Sequence, residues 1–234
     1  MIPARAALVL AAMVATGCLR CAVAQTTGNE FWPELDFYVQ QNEILRFVMV
    51  DASDQDRQVS YQRGKFAYYA DFAVRPVFRK DLRWKSDVFR QRYLSFRTGY
   101  EYLPSLSKNV LSHENRAIVE ITPRYRLPGA IVVDNRNRVE VRFIEGESPV
   151  VRYRNRLQFS RDLGISNFSF TPFTSVEAFY DGRYGVWDLV RYEFGSDFPI
   201  GPHVVVEPYG ALEHDTRGQP PHVHAIGLTV KFFF

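Results

Sequence analysis

The chain has 234 residues, with 29 basic and 26 acidic side chains, a net charge of +3, two cysteines and 15% aromatic residues. That balance excludes a nucleic-acid binder that works by a strongly basic surface, and no nucleic-acid partner is expected. Both cysteines, Cys18 and Cys21, stand near the start, so the rest of the chain holds no thiol for a disulfide, a zinc site or a nucleophile.

The first element reads as a secretory leader. Arg5 precedes an apolar stretch over 6–17, about the length of a signal h-region and too short to span a bilayer as a helix. Ala22-Val23-Ala24 then supplies the small-x-small pattern of a cleavage site, so cleavage is expected before Gln25. Residues 1–24 are thus a signal peptide and 25–234 a single domain. Ala15-Thr16-Gly17-Cys18 is a degenerate lipobox, and lipoprotein processing at Cys18 is the competing reading. Loss of Arg5 and Arg20 with the leader leaves 27 basic residues against 26 acidic ones.

After residue 24 no run of 18 apolar residues occurs, which excludes a spanning helix. Segments of roughly ten residues with alternating polarity follow instead, the pattern of transmembrane β-strands. Within 65–78, Phe66, Tyr68, Ala70, Phe72, Val74 and Pro76 share a side; within 151–159, Val151, Tyr153, Asn155, Leu157 and Phe159 oppose Arg152, Arg154, Arg156 and Gln158. Eleven such segments are predicted: 32–40, 44–52, 65–78, 90–103, 115–127, 131–144, 149–161, 170–181, 187–196, 203–213 and 223–234. Tight connections at 127–130 and 199–202 alternate with longer, more polar ones at 105–114 and 214–221, as in barrels with short turns at one rim. An odd count conflicts with both chain ends lying in the periplasm. Twelve strands are therefore expected, the extra one within 79–92, with ten as the alternative if Phe31 to Gln40 does not span.

The last segment carries its own signal. Ile226, Leu228, Val230, Phe232 and Phe234 alternate with Gly227, Thr229 and Lys231, and the chain ends on an aromatic residue. Gly227, Leu228, Val230, Phe232 and Phe234 resemble the terminal strand by which barrel assembly machinery recognises bacterial outer-membrane proteins. The fold class expected is an all-β, antiparallel up-and-down transmembrane β-barrel in the outer membrane of a Gram-negative cell, with outer-membrane lipid around it. A soluble sandwich or lipocalin-like barrel would show the same period with the faces exchanged. Composition favours the membrane form: Phe31, Trp32, Tyr102, Tyr125, Phe143, Tyr180, Trp187 and Phe198 stand near segment ends, as interfacial girdles do.

Several separate motifs occur in order: Phe31-Trp32-Pro33-Glu34-Leu35, Asn135-Arg136-Asn137-Arg138, Tyr153-Arg154-Asn155-Arg156-Leu157, Pro172-Phe173, Glu177-Ala178-Phe179-Tyr180-Asp181 and Pro199-Ile200-Gly201. Together they resemble the bacterial domain of unknown function 2490 family. The resemblance implies an outer-membrane β-barrel and nothing catalytic.

Folding the hairpins about their turns predicts pairs. A turn at Gly146 sets Arg136 against Arg156, Arg138 against Arg154, and Glu140 against Arg152. A turn at Gly129 sets Arg124 against Asp134 and Glu120 against Arg138. A turn at Tyr184 sets Glu177 against Arg191, with Glu193 two residues on. Directly opposed like charges destabilise a sheet, so neighbouring carboxylates or a bound anion must offset them. On a lipid face each charge would cost roughly 2–4 kcal/mol near the midplane, so these residues are expected to line the lumen. They form either a salt-bridge ladder that fills the barrel or a narrow, arginine-rich path or site for a small anion. The same arithmetic sets Asn137 against Asn155 on the outer side. A turn at Gly218 sets His214 against His222, with His224 on the same face, a low-ranking candidate for zinc or copper. No cofactor is expected.

The function expected is thus a non-enzymatic outer-membrane barrel with an Arg/Glu-lined lumen, structural or a narrow conduit for small anionic solutes. The alternative is a lipid-modifying enzyme using the histidines at the outer rim. A catalytic set would need Ser beside His and a carboxylate, and the strand segments adjoining these histidines carry no Ser.

Overall fold

A computed structural model describes residues 27–56, 61–77, 88–107, 110–165, 168–218 and 220–234. The expected leader, its cleavage site and Cys18 lie outside the described residues. The strands are β1 (Thr27–Gln40), β2 (Leu45–Asp56), β3 (Tyr61–Val77), β4 (Arg92–Ser107), β5 (Val110–Arg126), β6 (Ile131–Ile144), β7 (Val150–Arg161), β8 (Leu163–Ile165), β9 (Phe168–Asp181), β10 (Val186–Ile200), β11 (Val204–Asp215) and β12 (His222–Phe233). Every predicted segment is present, most extended by a few residues. No helix among the described residues is long and apolar enough to cross a membrane, a statement that does not bear on strands.

Consecutive long strands pair antiparallel, and β1 pairs β12 to close the ring. The short β8 stands outside that ring as a small hairpin on the start of β9. The described residues thus form twelve strands, of which eleven make up the barrel. A closed ring of antiparallel neighbours must have an even count; an odd one needs a parallel pair, and β1–β12 is parallel from Thr27↔His222 to Tyr38↔Phe233. The expectation of an even ring assumed that Thr27 and Phe234 share a rim. They stand at opposite rims, here called the His222 rim and the Phe234 rim. The seam is well made: Phe37 stacks on Phe232, Tyr38 stacks on Phe233, Gln40 N–H donates to the Phe234 carbonyl at 2.8 Å, and Phe234 N–H donates to the Tyr38 carbonyl at 2.8 Å.

Turn chemistry sets the registers. Gly129, Gly146 and Gly201 lie at φ of 77°, 76° and 70°, a region open to glycine at no steric cost. Gly129 and Gly201 are in the short 127–130 and 201–203 connections of the Phe234 rim, and Gly146 is in 145–149 at the other. The longer loop expected at 105–114 is instead mostly strand, since β4 and β5 pair as far as Ser107↔Val110. Part of the segment expected to hide a further strand, 78–87, lies outside the described residues, and Val88–Gln91 is a 3-10 turn.

Alternation leaves open which face points outward, and the ring decides it. Outward positions are apolar: Phe47 and Ile226 are 48% and 57% exposed, with Met49, Val119, Val139 and Leu228 also exposed. Inward positions are charged, and Glu140 and Glu101 are 0% and 1% exposed. The protein has a charged inside and an apolar outside. Trp32 differs from the girdle position expected of it: it points into the lumen, where its indole N–H donates to Glu30 Oε2 at 2.6 Å and the Arg191 guanidinium lies 4.7 Å from its ring centroid. Its even number on β1 puts it on the phase of Glu34 and Asp36 rather than of Phe31 and Leu35.

The asparagines on the outer wall satisfy one another. Asn137 pairs with Asn155 across β6 and β7. Tyr153 O–H donates to Asn137 Oδ1 at 2.6 Å, Asn155 Nδ2 donates to the same oxygen at 2.9 Å, and Asn137 Nδ2 donates to Asn135 Oδ1 at 2.6 Å. The polar row on an apolar wall is thus a closed hydrogen-bond ladder, which lowers the cost of keeping it away from water.

Candidate functional site

The lumen is built from the alternate positions of neighbouring strands. All the hairpin pairs expected from the sequence are observed: Arg136↔Arg156, Arg138↔Arg154 and Glu140↔Arg152 on β6–β7, Arg124↔Asp134 and Glu120↔Arg138 on β5–β6, and Arg191↔Glu177 on β9–β10. Facing strands therefore bring arginines together, and the question is what neutralises each one.

At mid-height the answer is a continuous layer. Arg138 Nε donates to Glu120 Oε2 and its Nη1 to Glu101 Oε1, both at 2.9 Å. Tyr69 O–H donates to the same Glu101 oxygen at 2.7 Å. Arg154 Nη1 donates to Glu140 Oε1 at 2.8 Å, and its Nε and Nη2 donate to Glu177 at 3.0 and 3.1 Å. Arg116 lies 3.5 Å from Glu101 and 3.8 Å from Glu140. The like-charged Arg138/Arg154 pair is thus enclosed by Glu101, Glu120, Glu140 and Glu177. Buried carboxylates persist only when paired in this way.

Toward the His222 rim, Arg142 and Arg116 share Glu114, and Arg152 donates to Asp181 at 3.2 Å. On the opposite wall, Arg191 is bound by Glu213, Lys65 bonds Glu34 at 2.5 Å, and Lys231 bridges Glu207 and Asp197. Arg97 and Arg46 both hold Asp71 at 2.6 Å. At the Phe234 rim the 3-10 turn folds inward. Phe89 is buried with the Arg46 guanidinium 4.2 Å from its ring centroid, and Arg90 reaches Asp197 on β10, on the far side of the ring from the β3–β4 connection, at 2.9 Å. Described side chains crowd the lumen at mid-height, where Glu101, Glu140 and Glu177 are buried.

The network also includes residues outside the expected cluster: Asp71, Arg97, Glu101, Glu114, Arg116, Asp181 and Asp197, together with Lys231 from the inward face of β12. Most follow from the arithmetic already used. Folding β4 onto β5 gives Glu101↔Arg116 and Arg97↔Glu120, and folding β3 onto β4 gives Asp71↔Arg97. Contacts that skip strands, Lys231 to Asp197 and Arg90 to Asp197, had no signal in the sequence.

The histidines lie elsewhere. His214 and His222 pair across β11–β12 on the outward face at the rim, their rings stacked at 4.7 Å and their Nδ1 atoms 3.2 Å apart. His224 is exposed on the same face, while Glu213 points inward to Arg191. Among the described residues, no group of three or more His, Cys, Asp or Glu side chains is placed to hold a metal ion.

Residues 71–219 match a family described as protein of unknown function (DUF2490). The match runs from the middle of β3 to the β11–β12 connection, taking in every motif noted above except the Phe31 to Leu35 opening. No curated protein matches the chain.

Proposed function

Since the chain belongs to the DUF2490 family, whose description names no activity, we propose on physical grounds that it is a non-enzymatic outer-membrane β-barrel whose lumen is sealed by its own ionic layer. The observation that carries the proposal is the inverted polarity: exposed Phe47, Met49, Val119, Ile226 and Leu228 outside, buried Asp71, Glu101, Glu140 and Glu177 inside. A soluble protein rarely exposes a continuous apolar wall, whereas lipid requires one. Reach fits as well. At ~3.3 Å per residue and a tilt of about 40°, the 12-residue strands β7 and β12 cover about 30 Å, the thickness of a bilayer core. Outward aromatics stand toward both rims, Tyr102, Phe143 and Trp187 at one and Phe72, Tyr125, Phe232 and Phe234 at the other, and also between them, as Tyr68, Tyr100, Tyr192 and Phe194 do.

Of the two forms of this function, structural barrel and anion conduit, the crowded lumen favours the first. Arg138, Arg154 and their carboxylates bridge β3 through β9 at mid-height, which narrows any path for ions. The outward histidines, two of them engaged with each other, favour a non-catalytic rim. The test is fractionation with reconstitution. The protein is expected in the outer membrane as a heat-modifiable band, and in planar bilayers without stepwise conductance. Recovery in the soluble fraction would overturn the membrane assignment, and steady anion-selective steps would replace the sealed barrel with the conduit.

A further inference from the structure

Among the described residues, pairing off the lumen charges leaves Arg156 over. Arg156 stands directly opposite Arg136 on β6 and directly opposite Glu177 on β9. Glu177 is already engaged: Arg136 Nη2 donates to its Oε1 at 2.6 Å, and Arg154 takes both oxygens. Arg156 makes no ion pair or side-chain hydrogen bond with the described residues, and its Nε is buried without a partner. Arg136 Nε is likewise buried and unpartnered, 3.8 Å from Glu120. Two guanidinium groups thus lie side by side with unsatisfied donors, whereas the opposed arginine pairs Arg138/Arg154 and Arg116/Arg142 are bridged by acids.

We propose that Arg136 and Arg156 form a binding site for a small tetrahedral oxyanion of the phosphate class. A guanidinium presents a planar fork of N–H donors matched to such an oxygen pair, and two forks can share one anion. The anion would cancel the Arg136/Arg156 repulsion and satisfy both Nε donors at once. The pair lies on the Phe234 side of the ionic layer. Arg136 and Asp134 are 14% and 17% exposed at their side chains, whereas the next layer toward the His222 rim contains fully buried Glu140. Arg124, held 2.8 Å from Asp134, and Gln158, paired with Asp134 across β6–β7, flank the pair toward the Phe234 rim.

The inference concerns the same lumen as the sealed-barrel proposal and does not depend on the membrane location. It is tested by titrating the purified full chain in neutral detergent with inorganic phosphate, and in parallel with glycerol 3-phosphate, at constant ionic strength set by chloride. Binding is followed calorimetrically and by thermal stability. Saturable binding is expected, weakened about tenfold or more in Arg156→Gln, the loss of one charge-assisted contact. Arg183→Gln, a change in the 182–185 connection at the opposite rim, is expected to bind as the parent does. Tighter binding of inorganic phosphate assigns a free oxyanion; tighter binding of the ester assigns a phosphomonoester. No saturable binding of either, or equal binding by Arg156→Gln folded with the parent's heat-modifiable band, would overturn the site while leaving the sealed barrel intact.

Discussion

Glu140→Gln is the sharpest probe of the ionic layer. Glu140 is fully buried, 2.8 Å from Arg154, 3.7 Å from Arg138 and 3.8 Å from Arg116. A charge pair near 4 Å contributes about 4 kcal/mol at an effective dielectric of 20. Three cations would then supply roughly three times that, opposed by repulsion from Glu101 and Glu177 and by desolvation. Measured losses on removing one partner of a buried pair are about 3–5 kcal/mol, and that is the cost expected here. Urea unfolding of protein folded in lipid vesicles, followed by tryptophan fluorescence, reads it through lumenal Trp32 and outward Trp187. Adding Arg154→Gln removes one of the stranded cations, so the double variant is expected to recover roughly 1–3 kcal/mol relative to additivity. Glu147→Gln, whose partner Arg183 is on the surface, is expected to cost under about 1 kcal/mol. Equal small losses in Glu140→Gln and Glu147→Gln, or strict additivity of Glu140→Gln with Arg154→Gln, would refute a layer held by mutual neutralisation.

Other expectations concern packing and closure. A Cβ at Gly99 would collide with the Tyr68 backbone carbonyl and the Tyr69 ring, so Gly99→Ala is expected to cost about 1–3 kcal/mol in the same assay. A Cβ at Gly227 would fall within the Tyr209 ring; Gly227→Ala is expected to lower stability similarly, and Tyr209→Ala in combination to restore part of it. Removing Phe232 to Phe234 deletes both seam stacks and the hydrogen bonds to Tyr38 and Gln40. The truncated chain is expected to give little heat-modifiable band in cells while the parent gives a strong one. Arg154→Ala with Arg156→Ala is expected to leave planar bilayers free of stepwise conductance, because Arg138, Glu101 and Glu120 still bridge β4, β5 and β6.

Period and turn chemistry made the barrel wall legible. The two-residue alternation fixed which residues share a face, and glycines able to adopt positive φ at 129 and 146 fixed which residues face one another. The Arg136/Arg156 and Glu120/Arg138 pairs followed from that alone, and His214/His222 from a turn about Gly218. Closure was not legible, since nothing local to β1 or β12 says whether they run parallel; that is settled by where Thr27 and Phe234 end relative to the ring. Trp32 was assigned to a girdle by residue type when its parity with Glu34 and Asp36 placed it inside. Long-range lumen contacts such as Arg90 to Asp197 depend on the barrel's diameter, which no single hairpin specifies. Arg156 stood out as one of a like-charged pair, but only the full set of partners shows that Glu177 is already taken.

The apolar face is expected to meet lipid and the charged face to line the lumen. Single-cysteine variants at positions 226–232, each carrying a small fluorophore, in bilayers containing a chain-attached nitroxide quencher, measure this directly. Ile226, Leu228, Val230 and Phe232 are predicted to give strongly quenched positions, and Gly227, Thr229 and Lys231 weakly quenched ones. Uniform quenching along the strand, or the opposite alternation, would contradict the account.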